Sequence, residues 1–393
     1  MIRSVKFSNF YSFEGTHEIN FVAKKKKTYD YSSSLADDQI TKIAGFIGGN
    51  ASGKTNIMRL FSFLGYFVGR SVKDDPHQVT NVPFKTFFNN NLPSSFLVEF
   101  EQKEEIYYYD FQIKNNIILK ETLYIKKSPK STVKVCLFKR ERDKVKYLNN
   151  KYFSNLLVDS FPNIREDVSF ITFFKKSAYN VDVINEVYAY FSEFVTNINE
   201  RGDINNFGHQ FNSLEVYIED KDIKKEMEDF IFNFDLGLIG FDIKKEVKEE
   251  GIKITVNGLH KVGVKSVSLD FSYESRGTRA LFFAMANILN AIKNNRVVII
   301  DEIEAGFHPE ALNKLIAYFI DNNKNKKAQL LFSSHALGFM DRLDMHQIYL
   351  VNKDNKSNSG VCRLNKIKGI RPDENFMAKY MTGVYGAFPK IRV

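Results

Sequence analysis

The chain has no tryptophan, two cysteines and eight prolines among its 393 residues. Cys136 and Cys362 lie far apart and lack the short spacing of metal ligands, which argues against a disulfide framework and a zinc site and fits a reducing compartment. No apolar stretch approaches the roughly 20 residues that a membrane span requires, and the opening MIRSVKFSNF has no apolar signal-peptide core. A soluble cytoplasmic protein without a membrane partner is expected. With 44% hydrophobic residues the chain is globular, large enough for one big core or two ordinary ones.

Lys and Arg outnumber Asp and Glu by 56 to 47, a net charge of +9. That excess suits an acidic partner such as nucleic acid. Compositional drift toward Lys, Asn, Ile, Phe and Tyr explains it about as well. The run Lys24 to Lys27 reads as a solvated loop.

Periodicity supplies the elements. The opening IRSVKFSNFYSF and then THEINF alternate apolar and polar residues, a strand pair with its turn at Glu14-Gly15. Ile43 to Ile47 form a short apolar strand, followed by a glycine-rich turn and by helical spacing from Asn56 to Val68. Ser95 to Phe100, Ile106 to Ile113 and Ile117 to Ile125 alternate again, as an antiparallel meander. From about Lys126 to His260 the segments become longer and amphipathic, for example Val181 to Ile198 and Asp222 to Phe232, and no sustained heptad marks a coiled coil. Sheet character resumes at Val264 to Tyr273. Arg296 to Ile300 and Gln329 to Phe332 are continuous apolar runs of the kind that suit buried parallel strands.

Chemistry concentrates where strands end. Gly48 to Thr55 read GGNASGKT, which matches G-x-x-x-x-G-K-[ST] between a strand and a helix. Glycines let backbone N–H groups wrap phosphates and the helix start adds its positive dipole end. Gly48, Asn50, Ser52, Gly53, Lys54, Thr55 and Asn56 are the candidate nucleotide-binding residues. Lys54 would pair with the β- and γ-phosphates, and Thr55 would take a Mg²⁺ position. VVIIDEIE, Val297 to Glu304, is a buried strand that ends in two carboxylates: Asp301 for Mg²⁺ and Glu302 to polarise an attacking water. LLFSSH delivers Ser333, Ser334 and His335 to the same sheet edge, where His335 can reach the γ-phosphate or the water. In YESRGTRALFF, Ser275 and Gly277 open an apolar helix, Thr278 to Ile292, whose free N–H groups form an anion site. The phosphate loop already serves one nucleotide, so this second site should hold a γ-phosphate bound by another subunit.

The set resembles the ABC-type ATPases, in the branch containing SMC proteins, RecF and the OLD-family nucleases, with GGNASGKT as Walker A, ESRGT as signature, Asp301-Glu302 as Walker B, His335 as switch histidine and Glu304 to Pro309 in the place of the D-loop. Further likeness in NFYSF (Asn9 to Phe13), DEIEAGFHP and YMTGVYGAFP (Tyr380 to Pro389) is to small ATPases of the RloA and AbiLi type. The resemblance implies an α/β P-loop head with an antiparallel β-subdomain, built from 1–125 and 262–393, around a mostly helical insertion, 126–261. It also implies ATP and Mg²⁺ as cofactors, a homodimer that sandwiches ATP, a phage-defence role by abortive infection, and a second protein encoded nearby. OLD nucleases carry a C-terminal Toprim domain, for which the stretch after His335 leaves no room, so nuclease or toxin activity is expected of that partner, with a Toprim-like fold among the candidates. No glutamine has a convincing Q-loop context, although Gln78 and Gln102 are candidates. Asp220-Lys221-Asp222 reads as a solvated helix face and not as a metal site. The alternative function is a RecF- or SMC-like DNA-binding ATPase in repair or maintenance, distinguished by strong salt-dependent DNA binding.

Overall fold

The computed structural model describes residues 1–23, 31–33, 38–72, 82–103, 105–126, 133–154, 156–204, 207–234, 237–249, 251–306 and 308–387. The Lys24 to Lys27 run and Gln78 lie outside them.

Alternating burial builds the first sheet. β1 (Ile2–Phe10) and β2 (Phe13–Asn20) pair antiparallel with Phe10 opposite Phe13. The turn is therefore at Tyr11-Ser12, not at Glu14-Gly15: Tyr11 adopts the left-handed backbone, φ 47°, that reverses the chain, and Glu14 and Gly15 remain extended in β2. β3 (Val22–Ala23), β4 (Tyr31–Ser33) and β5 (Gln39–Thr41) make a small antiparallel sheet. β6 (Ile43–Ile47), wholly buried, leads into α1 (Lys54–Arg70).

The expected meander follows as β7 (Ser94–Gln102), β8 (Glu105–Lys114) and β9 (Ile117–Lys126), and continues through β10 (Val135–Glu141) and β11 (Lys144–Leu148). The sheet order is β11-β10-β9-β8-β7-β1-β2. Residues 126–261, expected to be mostly helical, are mixed. They hold α2 (Phe170–Lys176), α3 (Asp182–Ser192), β12 (Val195–Thr196), α4 (Phe207–Glu219), α5 (Lys221–Phe232), β13 (Leu238–Lys248) and β14 (Gly251–Val262). The strands escape the sequence because KVKYL and KKEVK are charged and thinly hydrophobic, and only their cross-strand pairing makes them extended.

β15 (Lys265–Asp270) completes a three-stranded sheet with β13 and β14. After it come α6 (Arg276–Asn294), β16 (Val297–Ile300), α7 (Pro309–Asn322), β17 (Gln329–Ser334), β18 (Ile348–Lys353), β19 (Ser359–Arg363) and α8 (Phe376–Met381). The second large sheet runs β12-β16-β17-β6-β18-β19, parallel except at β19.

Side-chain alternation on this parallel sheet divides the core. Val297, Ile299 and Leu331 face α1, whose other side packs on the antiparallel sheet through Phe63, Phe67, Phe96 and Phe111. Val298, Ile300, Leu330 and Phe332 face α6 and α7. Helix α1 is thus clamped between two sheets, which fixes the loop before it.

A fully buried ion pair ties the antiparallel sheet to α2. Arg140 Nη1 donates to Glu121 at 3.2 Å and to Val168 O at 2.6 Å, while both carboxylate oxygens of Glu121 accept from Phe170 N. Glu121→Ala should strand the arginine in an apolar setting and cost about 3–5 kcal/mol, read from urea unfolding midpoints.

Candidate active site

Parallel pairing sets Ile47, Ile300 and Ser334 near one edge, with Ser334 opposite Ile47 and Ile300 opposite Phe332. The residues that follow each strand therefore meet. Asn50, Ser52, Gly53, Lys54, Thr55, Asn56, Glu302 and His335 line one cleft of about 530 Å³, with Arg59 and Lys353.

The loop conformation requires its glycines at two points. A Cβ on Gly48 would lie 2.0 Å from Val351 O, and Gly53 enters α1 at φ 118°. Gly48 lies behind the cleft and contributes its carbonyl: Lys54 Nζ donates to Gly48 O at 2.8 Å and Gly49 O at 3.1 Å, and stands 3.4 Å from His335 Nδ1. Burial lowers the Lys54 pKa, against the pull of Asp301, Glu304 and Glu302.

Asp301 is fully buried beneath the cleft. Its Oδ1 accepts from Ser333 Oγ, the Thr55 side chain lies close enough to favour its ionised form, and Oδ2 has no partner among the described residues. Burial raises its pKa. A buried carboxylate with a free oxygen beside a threonine hydroxyl provides two oxygen ligands, a set that fits a hard cation whose sphere phosphate and water complete. The residues present fit Mg²⁺. Glu302 takes a left-handed backbone, φ 49°, and its N–H donates to Ser333 Oγ at 2.9 Å, so its exposed side chain turns to the cleft.

Ser275 and Gly277 do not line this cleft. The helix starts at Arg276, earlier than expected, and Ser275 is its N-cap: Thr278 N donates to Ser275 Oγ at 3.0 Å. The serine hydroxyl thus already serves its own helix, and Ser275 itself is exposed. Glu274 is buried and meets His260 Nε2 at 2.7 Å, which ties the helix start to β14. Gln102 ends β7 away from the cleft lining. Asp220 caps α5 and pairs with Lys293, a structural role.

Sequence reasoning missed two braces. Asn197, after β12, holds Asp301 by its backbone, accepting from Asp301 N at 2.8 Å and donating to Asp301 O at 2.9 Å. Ser359 Oγ lies 2.6 Å from Ser52 O and 2.7 Å from Ser12 Oγ, and Asn56 Nδ2 donates to that same Ser12 Oγ at 2.8 Å. Asn197→Ala should orphan a buried N–H at a cost of about 1–3 kcal/mol. A lower melting temperature would register it.

A strand, a glycine loop and a helix, with carboxylates on the neighbouring strand end, make this a P-loop ATPase head of mixed α/β type. The model of the family described as "AAA domain, putative AbiEii toxin, Type IV TA system" matches residues 43–341, and the chain belongs to that family. No protein with a curated description matches. Among solved structures it is similar to the SMC head domain from Thermotoga maritima, at 14% identity and TM-score 0.44, over 92% of this chain and 98% of that one. It is also similar to an Smc head domain with an extended coiled coil bound to the C-terminal domain of ScpA, derived from Pyrococcus furiosus, at 12% identity and TM-score 0.45, over 93% and 97%. Among the described residues no helix is long and apolar enough to cross a membrane.

Proposed function

We propose that the protein is a Mg²⁺-dependent ATPase that dimerises around two ATP molecules and acts as sensor and engine for a separate effector, a nuclease or toxin, in bacterial defence against phage by abortive infection. The observation that carries the enzymatic part is the convergence of Lys54, Thr55, Glu302 and His335 on one cleft, with Asp301 beneath it. Lys54 binds the β- and γ-phosphates, in place of the carbonyls it now contacts. Thr55 and Asp301 hold Mg²⁺, which when bound neutralises charge on the phosphates. Glu302 polarises the attacking water and His335 orients it or the γ-phosphate. Ser275 and Gly277 complete the partner subunit's site through the α6 N-terminus.

The defence role rests on the toxin-system family and on the likeness of NFYSF, ESRGT and DEIEAGFHP to ATPases of the RloA and AbiLi type. Phosphate release from ATP that requires Mg²⁺ and disappears in Lys54→Ala is the expected result. Turnover that persists in Lys54→Ala would refute the assignment of the cleft.

A further inference from the structure

The sheet β13-β14-β15 has one apolar and one polar face. Its register places Phe241, Gly258 and Leu269 in one row on the apolar face, and His260 beside Val267 in the next. At its base this face is buried, where Phe241 and Val256 join Tyr217 of α4, Ile223 of α5 and Phe282 of α6 in one core. Toward β15 it emerges into solvent: Val262, Val267 and Leu269 are 59%, 46% and 38% exposed. The opposite face carries Asn257 and Lys261 of β14 and Ser266, Ser268 and Asp270 of β15.

β15 is also an edge strand. Natural edges are commonly blunted by charge, bulges or brevity. β11 carries Lys144 and Lys146, and β13 carries Lys244, Lys245, Glu246 and Lys248 with a register shift after Leu238. β15, KSVSLD, is uncharged between its ends, pairs with β14 without a shift and is exposed along its whole length. The turn Gly263-Val264, with Gly263 at φ 64°, closes the hairpin at Val262 and Lys265. A two-residue turn closes on a hydrogen-bonded pair and bonding alternates from there, so the backbone groups of Lys265, Val267 and Leu269 face β14. The N–H and C=O groups of Ser266, Ser268 and Asp270 point outward and meet no partner among the described residues.

This edge is complementary to itself. Two antiparallel copies can bond only where outward residue meets outward residue. The register that uses the whole strand sets Ser268 against Ser268 of the second copy, Ser266 against its Asp270 and Val267 against its Leu269. The apolar residues then occupy non-hydrogen-bonded positions, where facing side chains approach closest, on one side of the joined sheet. On the other side a hydroxyl meets a carboxylate. We infer that β15 is a homotypic docking edge, through which two chains join about a two-fold axis at Ser268 into one six-stranded sheet. So short a contact falls below the roughly 1,000 Å² of a stable interface; it is weak between single chains and is reinforced where an ATP dimer presents two edges at once. Only that reinforcement rests on the proposed ATP dimer.

Disulfide trapping reads the contact even when it is weak. In a chain carrying Cys136→Ser and Cys362→Ser, Val267→Cys and Leu269→Cys are introduced separately, both at exposed positions. Mixed and oxidised with diamide, the two proteins should give a disulfide-linked dimer on a non-reducing gel. Either protein alone should give none, because like positions are offset by two residues along the strand, beyond the ~7 Å that a disulfide spans. Ser268→Lys, which opposes like charges on the two-fold axis, should abolish the mixed dimer. Ser268→Pro, which removes an outward donor that β14 does not use, should do the same. Cross-linking by one cysteine alone as strong as by the mixture, or a mixed dimer that survives Ser268→Lys, would overturn the inference. Absence of the mixed dimer as protein concentration is raised would overturn it too, leaving β15 to a strand of another protein. None of these readouts involves ATP, so their failure leaves the assignment of the cleft untouched.

Discussion

Glu302→Gln protein should bind ATP like wild type and hydrolyse it at least roughly 100-fold more slowly, the loss expected when a general base is removed. The cleft lining contains no other carboxylate among the described residues. Asp301 is fully buried and bonded to Ser333, and Glu304 accepts from His335 N. Glu302 alone is exposed, unbonded and aimed into the cleft by its left-handed backbone. Glutamine keeps its size and the N–H bond to Ser333, so binding and folding are spared. Single-turnover phosphate release together with ATP titration separates the two effects; a variant that hydrolyses at the wild-type rate would remove Glu302 from the chemistry.

Gly277→Asp is expected to abolish turnover with little change in the ATP affinity of the isolated chain. Gly277 lies in the first turn of α6, where an aspartate favours the helix through its dipole by about 0.3–1 kcal/mol. The helix dipole therefore does not oppose the substitution. In the proposed dimer the substitution would place a carboxylate against the γ-phosphate held by the partner chain, and like charges at contact would exclude it. Gly277 does not line its own chain's cleft, so a lost ATPase signal with retained ATP binding identifies a contact made across subunits. Loss of ATP binding itself would place the defect within the chain.

The strand ends that carry the site were legible because their signals are local. A glycine loop with Lys54 and Thr55, VVII before Asp301 and QLLFSS before His335 each declare themselves within a few residues. The braces were not legible, because Asn197 meets Asp301 across 104 positions and Ser359 meets Ser52 across 307. Neither residue type in its own neighbourhood differs from an ordinary loop residue. Ser12 was within reach of inference, since NFYSF stood out as a motif, but only the fold reveals that it bonds Asn56 and Ser359. Strand β11 and the charged half of β13 were hidden for a related reason: their pairing partners, not their own hydrophobicity, make them extended. The Ser275 hydroxyl looked free to bind an anion, and its use as a helix cap depends on where α6 begins.

The central claim is that two chains share each ATP. Size-exclusion chromatography with light scattering on Glu302→Gln protein, with and without Mg·ATP, tests it most directly. The account predicts a dimer with ATP that reverts to monomer when Gly277→Asp is added; a mass indifferent to ATP, or a dimer that survives Gly277→Asp, would contradict it.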